Sequence, residues 1–151
     1  MYDTIGYFGP FLLFVIIIIY NIWLPLHYNL IYILFILINL YTNNIIKYYI
    51  KEPRPNNQKH LFHFEILKYK EKNSQIYGMP SGHSQLSWFS VIFSLFVLKN
   101  IYLFLFALCI TLNTMRQRYK YRNHTKRQIF VGTIFGMMLG YLSYKISLNI
   151  K

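Results

Sequence analysis

The sequence predicts an all-α protein: a polytopic membrane helical bundle of about five transmembrane helices, with its functional groups at one membrane interface. Of its 151 residues, 55% are hydrophobic and 20% aromatic, and only 13% are charged, about half the share of a soluble domain. Apolar runs close to the roughly 20 residues needed to cross hydrocarbon recur along the chain. A chain of this length fits one domain, which we assign to residues 1–151.

Five apolar runs are predicted to be the membrane spans. They are Phe8 to Leu26, Tyr28 to Ile46, Ser81 to Leu98, Ile101 to Met115 and Ile129 to Ile146. The first run lacks the short, basic-flanked, cleavable pattern of a secretory signal, so we expect it to remain as the first span.

Two further stretches have weaker patterns. Residues 56–77 fit neither a helical nor a strand period, and we predict an interfacial or partly helical loop. Gly132, Gly136 and Gly140 share one face of the last span, which lets another helix approach closely. Packing within one monomer is the favoured interpretation and dimerisation is the alternative, so the oligomeric state is left open.

Counting the spans brings three polar clusters to the same face of the membrane: Lys47 to Pro55, Pro80 to His83, and Arg118 to Gln128. The second span ends at Lys47, the third begins at Ser81, the fourth ends at Arg116, and the fifth begins after His124. Hydropathy alone does not require this agreement. We therefore expect the three clusters to form one composite site.

These clusters contain the groups that phosphoryl transfer needs. Pro80-Ser81-Gly82-His83 opens a helix, whose unpaired amide N–H groups and dipole favour an anion. Cations and a second histidine come from the other two clusters, and catalysis of phosphoryl transfer is mostly positioning and charge stabilisation. The formal net charge of +12 would indicate nucleic-acid binding in a soluble protein. Beside apolar spans it favours anionic headgroups or a phosphate substrate instead.

The three clusters together resemble a known family. Lys-x6-Arg-Pro from Lys47, Pro-Ser-Gly-His from Pro80, and Arg-x5-His from Arg118 are similar to the tripartite motif of the type 2 phosphatidic acid phosphatase (PAP2) superfamily. Tyr77-Gly-Met-Pro-Ser-Gly-His-Ser-Gln and the Arg-Tyr-x-Tyr-x-x-His-Thr-x-x-Gln run look most like its dolichyldiphosphatase branch. The resemblance covers roughly residues 47–140.

The resemblance implies a role for each matching residue. His124 would be the nucleophile that forms a phosphohistidine, and His83 the general acid that protonates the leaving oxygen. The remaining residues would bind the substrate phosphate; they are Lys47, Arg54, Ser81, Gly82 and Arg118.

The chain departs from the superfamily pattern at two positions. An Asp usually follows the nucleophilic histidine by four residues, and here that position is Gln128, which we interpret as orienting His124 and as a marker of the branch. At i and i+4 on a helix the two side chains can meet. Gln117 stands where a Ser commonly precedes Arg118. Gly82 agrees with the broader superfamily but stands where the dolichyl branch often has a second Ser.

No metal or cofactor is predicted. His60 and His63 are three residues apart but lack supporting ligands other than Glu65. Cys109 is the only cysteine, so the chain has neither a disulfide framework nor a cysteine metal site.

The resemblance therefore implies a membrane lipid-diphosphate phosphatase that hydrolyses dolichyl or polyprenyl diphosphate, with membrane lipids as its other partners and no nucleic acid. One alternative is a phosphatidate or other lipid-phosphate phosphatase of the same fold. Another is a non-enzymatic basic membrane protein that binds anionic lipid. The resemblance implies an endoplasmic reticulum protein with a lumenal site. The positive-inside rule points the other way, because all Lys and Arg except Lys99, Lys145 and Lys151 lie on the active face.

Overall fold

Five α-helices form a bundle in the computed structural model, which describes residues 1–59, 61 and 76–150. In chain order they are α1 (Tyr2–Asn21), α2 (Leu26–Ile50), α3 (Gly82–Ile92), α4 (Ile101–Lys120) and α5 (Lys126–Ser147). A π-helical turn, Phe93–Val97, extends α3. Within these ranges there is no strand, only an isolated bridge between Pro53 and Tyr77. The predicted all-α bundle is confirmed.

Three of these helices, α1, α2 and α5, are long and apolar enough to cross a membrane. The combined α3 and π turn is shorter, and its serines are buried inside the bundle: Ser84, Ser87, Ser90 and Ser94. Neighbouring helices therefore enclose α3, so its polar side chains avoid lipid. The last turn of α4 is basic, with Arg118 and Lys120.

At the membrane face that holds the three polar clusters, the helices extend further than the sequence predicted. α1 begins at Tyr2 rather than Phe8 because Asp3 pairs with the end of α4, at 3.3 Å from Arg116 and 2.6 Å from Lys120. α4 continues past Met115, so Arg118 lies on a helix. Most of the predicted loop at residues 56–77, including His60 and His63, lies outside the described residues.

Gly132, Gly136 and Gly140 bring α5 against α3. A Cβ atom on Gly132 would lie 2.5 Å from the carbonyl oxygen of Ser81, and one on Gly140 would lie 2.6 Å from the Cβ of Ile92. A Cβ on Gly136 would collide with the backbone carbonyl of Gln85. The stripe therefore allows close packing within the monomer, as the favoured interpretation of its spacing expected.

Hydrogen bonds fix which helix ends meet. At one end of the bundle, Asn100 before α4 donates to the Tyr20 hydroxyl near the end of α1 (2.9 Å). At the other end, the Lys59 amide donates to the Tyr121 carbonyl (2.9 Å), near the α1–α4 ion pairs. The start of α1, the end of α2, the start of α3, the end of α4 and the start of α5 therefore share one face, as the span count predicted.

Candidate active site

His124 lies in the short connection between α4 and α5 and is only 3% exposed. Its backbone N–H and that of Asn123 both donate to the Arg118 carbonyl (3.3 and 3.0 Å), which folds the connection back on the helix end. The ring Nδ1 lies 3.0 Å from the carbonyl oxygen of Gly78 and 3.3 Å from Oε1 of Gln128. Since both oxygens are acceptors, Nδ1 carries the proton. Nε2 therefore keeps its lone pair.

Gln128 is fully buried and connects all three polar clusters. Its Oε1 accepts from the Thr125 amide (3.2 Å), while that residue's hydroxyl caps α5 by accepting from the Gln128 amide (3.1 Å), completing a capping box. Its Nε2 donates to Oε1 of Glu52 (2.9 Å) and to the Pro53 carbonyl (2.8 Å). Its backbone carbonyl accepts from the Ser81 amide (3.0 Å). These bonds determine which end of the amide faces His124.

Arg118 forms the second wall of the site and is 5% exposed. Its Nη1 donates to Oδ1 of Asn123 (3.0 Å), and its Nη2 donates to the Tyr7 carbonyl (3.4 Å). The guanidinium carbon lies 4.9 Å from the centre of the Tyr7 ring, within cation–π range. The Nε–H of Arg118 is buried and has no acceptor among the described residues. A ligand oxygen placed beside it would satisfy this donor.

His83, on the first turn of α3, contacts Arg118. Its Nε2 accepts from Nη2 of the guanidinium, and its ring centre lies 6.3 Å from that of Tyr7. Both predicted catalytic histidines therefore contact Arg118, His83 through the guanidinium and His124 through its backbone N–H. In this arrangement the Nε2 of His83 is an acceptor.

Lys47 and Arg54 supply the remaining positive charge. Lys47 is buried near the end of α2, and Arg54 is half-buried four residues after that helix. Burial lowers the pKa of His124 to about 3, and the positive charges of Arg54, Lys47 and Arg118 act in the same direction. The ring is therefore neutral at physiological pH, beside cations that complement an anion.

Ser81 is the N-cap of α3 and Gly82 is its first residue. The fully buried Ser81 hydroxyl caps the helix, accepting from the Ser84 amide (3.4 Å). A Cβ on Gly82 would lie 3.3 Å from Oδ1 of Asn43, whose Nδ2 donates to the Pro80 carbonyl (3.3 Å). The helix start is thus braced against α2, and a phosphate contact from Ser81 stays a prediction.

Three residues of the site escaped the sequence prediction. Gly78 supplies a backbone acceptor to His124, and a Cβ there would collide with the Gln128 amide. Asn123 holds Arg118, and Tyr7 contacts the same guanidinium from α1. Gly78 lies in the motif from Tyr77 that resembles the dolichyldiphosphatase branch. A sequence motif does not show that a backbone carbonyl is the hydrogen-bond partner of His124. Tyr7 sits just before the apolar run of α1 and carries no signal of its own.

Comparison with known proteins extends over most of the chain. The family model described as the PAP2 superfamily matches residues 28–151. The chain is 32% identical over 120 residues to Dolichyldiphosphatase 1 of Dictyostelium discoideum, an alignment that covers 70% of this chain and 46% of that protein. The chain thus spans about half the length of this curated relative. No solved structure matches significantly. The family match and the three clusters around His124 lead to the same conclusion: the chain belongs to the PAP2 superfamily.

Proposed function

We propose that the chain is an integral-membrane phosphatase that hydrolyses a dolichyl or polyprenyl diphosphate to the monophosphate and inorganic phosphate through a phosphohistidine. The observation that carries this proposal is the environment of His124. Its neutral, buried ring donates from Nδ1 to two oxygens, which leaves the lone pair on Nε2 next to cations. Membership of the PAP2 superfamily and the similarity to a dolichyldiphosphatase support a lipid phosphatase.

In the first step, Nε2 of His124 attacks the terminal phosphorus. The N–P bond forms as the bond to the bridging oxygen breaks, and the electron pair leaves with the lipid monophosphate. Positive charge develops on the ring, and the two oxygens that accept from Nδ1–H stabilise it. Lys47, Arg54 and Arg118 neutralise the oxygens of the transferred group, which is the main requirement of phosphoryl transfer.

His83 supplies the proton that the leaving oxygen needs. In the structure its Nε2 accepts from Arg118, so a phosphate group that draws the guanidinium towards itself releases this nitrogen. The freed Nε2 takes up a proton from solvent, and the protonated His83 then acts as general acid, a role worth roughly 10²–10⁴ in rate.

In the second step, water attacks the phosphorus of the phosphohistidine. His83, now neutral, accepts the proton from water; the N–P bond breaks and its electron pair returns to Nε2 of His124. Inorganic phosphate leaves, His83 returns its proton to solvent, and its Nε2 again accepts from Arg118.

A release assay on the purified protein tests this function. The parent should release phosphate from polyprenyl diphosphate faster than from phosphatidate, and substrate labelled in its terminal phosphate should transfer label to the protein. His124→Ala should abolish both signals. His27→Ala, a histidine in the first turn of α2 at the opposite end of the bundle, should retain them. Unchanged release by His124→Ala would refute the mechanism, and faster turnover of phosphatidate would refute the substrate.

The site is proposed to face the lumen of the endoplasmic reticulum, as the family resemblance implies. Sealed microsomal vesicles distinguish the two orientations, because protease added outside cleaves the segment at residues 56–77 only if that segment faces the cytoplasm. Cleavage in intact vesicles would overturn the lumenal assignment.

A further inference from the structure

A groove of about 320 Å³ runs along the bundle between α1, α2 and the first turns of α3. Its walls are mostly apolar side chains, among them Phe11 and Phe14 of α1 and Ile36 and Leu40 of α2. His83 and Tyr7 lie at its polar end. The groove therefore begins at the candidate active site and leads away from it along an apolar path.

The two ends of the groove have different chemistry. At the polar end, the His83 side chain and the Tyr7 carbonyl both contact the Arg118 guanidinium. Towards the other end, Phe14 stacks on the fully buried Tyr32, with ring centres 6.2 Å apart and planes at 18°. The positive end suits a phosphate group, and the aromatic pair closes the apolar end.

The groove also opens sideways. Phe11 and Leu40 line it and are 62% and 46% exposed, so they form rims rather than a buried wall. α1 packs mainly on α4 and only slightly on α2. Because α1 and α2 are candidate membrane spans, the opening between them faces lipid.

We propose that this groove holds the first isoprene units of the substrate, with the diphosphate at His83 and the rest of the tail passing into lipid between α1 and α2. This inference rests on the proposed function. Tyr7 and Phe14 are seven residues apart on α1, or about 10 Å at 1.5 Å per residue. An extended isoprene unit spans about 5 Å, estimated from the reach of a chain per bond. The groove thus accommodates about two units.

Tyr7 is the positioning residue at the junction. Its carbonyl and ring both contact Arg118, and its side chain borders the groove. Close packing holds α1 in place, because a Cβ on Gly6 would lie 2.7 Å from the Cβ of Gln117 on α4. α1 lies outside the family match, which begins at residue 28. This helix adds a contact to the active-site arginine that the family motifs do not include.

A series of prenyl diphosphates tests the tail site. With dimethylallyl, geranyl, farnesyl and geranylgeranyl diphosphate in mixed micelles, kcat/KM should rise up to geranyl or farnesyl and then level off. Leu40→Trp fills the groove and should lower the farnesyl-to-dimethylallyl ratio of kcat/KM about tenfold, the cost of leaving roughly two methylene groups unburied. Leu34→Trp changes a leucine on α2 that is 52% exposed and does not line the groove, and should keep the parental ratio.

Each outcome of this series decides the proposal. Equal ratios for Leu40→Trp and Leu34→Trp, or a kcat/KM that keeps rising to geranylgeranyl diphosphate, would overturn the tail site while leaving the phosphatase intact. A parent that releases phosphate from phosphatidate but from no prenyl diphosphate would overturn the proposed function, and this inference with it.

Substitutions of Tyr7 test the positioning role separately. Tyr7→Leu should lower kcat/KM for every tail length, because Arg118 loses the ring beneath it. Tyr7→Phe should recover most of that loss, since the ring and the carbonyl remain. A Tyr7→Phe variant as impaired as Tyr7→Leu would refute a role for the ring.

Discussion

Replacing Gln128 by Glu separates the orientation of His124 from the stability of the site. The two side chains have the same shape, and the Glu oxygen can still accept from Nδ1 of His124 and from the Thr125 amide. The atom that replaces Nε2 can no longer donate to Glu52 (2.9 Å) or to the Pro53 carbonyl (2.8 Å). We therefore expect the variant to be destabilised while His124 keeps its orientation.

The magnitude follows from the two lost donors. Both bonds are only partly buried, so losing the bond to the Pro53 carbonyl costs about 0.5–1.5 kcal/mol and losing the bond to the charged Glu52 costs about 1.5–3 kcal/mol. The facing carboxylate of Glu52 adds like-charge repulsion. Together the two lost bonds lower the free energy of unfolding by about 2–4.5 kcal/mol. For a chain of this size about 1 kcal/mol moves the melting temperature by roughly 2–4 °C, so the expected fall is roughly 4–18 °C.

The assay compares the parent, Gln128→Glu, Glu52→Gln and the double variant in detergent. Melting is followed by intrinsic fluorescence, and phosphate release is measured below the lowest melting temperature. A Gln at position 52 can donate to the new Glu at 128, so the double variant should recover part of the loss. The reasoning is refuted if Gln128→Glu melts with the parent, or if the double variant melts at the sum of the single losses.

Four further predictions concern charge and packing. Arg118→Lys removes the forked guanidinium and, at about 3 kcal/mol for one transition-state donor, should slow phosphate release about 100-fold; a loss below about fivefold would contradict it. Arg54→Gln removes a charge that lowers the pKa of His124, so the acidic limb of kcat/KM should move to higher pH; an unmoved limb would exclude this coupling. The folded pKa of His124, about 3, lies below its ordinary 6.5, so between those values the unfolded chain binds the extra proton and acidification destabilises the fold. His124→Gln should flatten this pH dependence of melting, and a slope as steep as the parent's would argue against it. Gly136→Ala pushes a methyl group into a backbone carbonyl of α3 and should cost about 1–3 kcal/mol, seen as a lower melting temperature, whereas Met138→Ala on the exposed face of α5 serves as the control.

The shared face of the site is predictable because hydropathy and motif position are both local properties of the chain. Lys47, Ser81 and His124 stand at the ends of apolar runs, so counting the runs assigns all three to one side. The spacing of the glycines on α5 likewise predicts a close helix contact, because three residues without a Cβ on one helix face let another helix approach. The spacing does not predict which helix is the partner; in the structure it is α3.

The rest depends on contacts between distant residues. Tyr7 reaches Arg118 only because α1 starts at the active face, where Asp3 pairs with α4 across more than a hundred residues of sequence. The buried serines of α3 are likewise explained by its neighbours, because a helix enclosed by other helices need not be apolar. The motif match did not predict that the Ser81 hydroxyl caps α3, and its contact with phosphate stays a prediction.

The carbonyl of Gly78 that accepts from His124 belongs to the main chain. One of the two acceptors that fix the imidazole tautomer therefore depends on no particular side chain, but it does require a glycine, because a Cβ at residue 78 would collide with the Gln128 amide. The residue four positions after the histidine can then exchange a carboxylate for an amide, as Gln128 does, without turning the ring. Under the proposed mechanism, such an exchange alters the charge that faces the imidazolium, so position 128 would change the reaction rate while the hydrogen-bond geometry of the ring is kept.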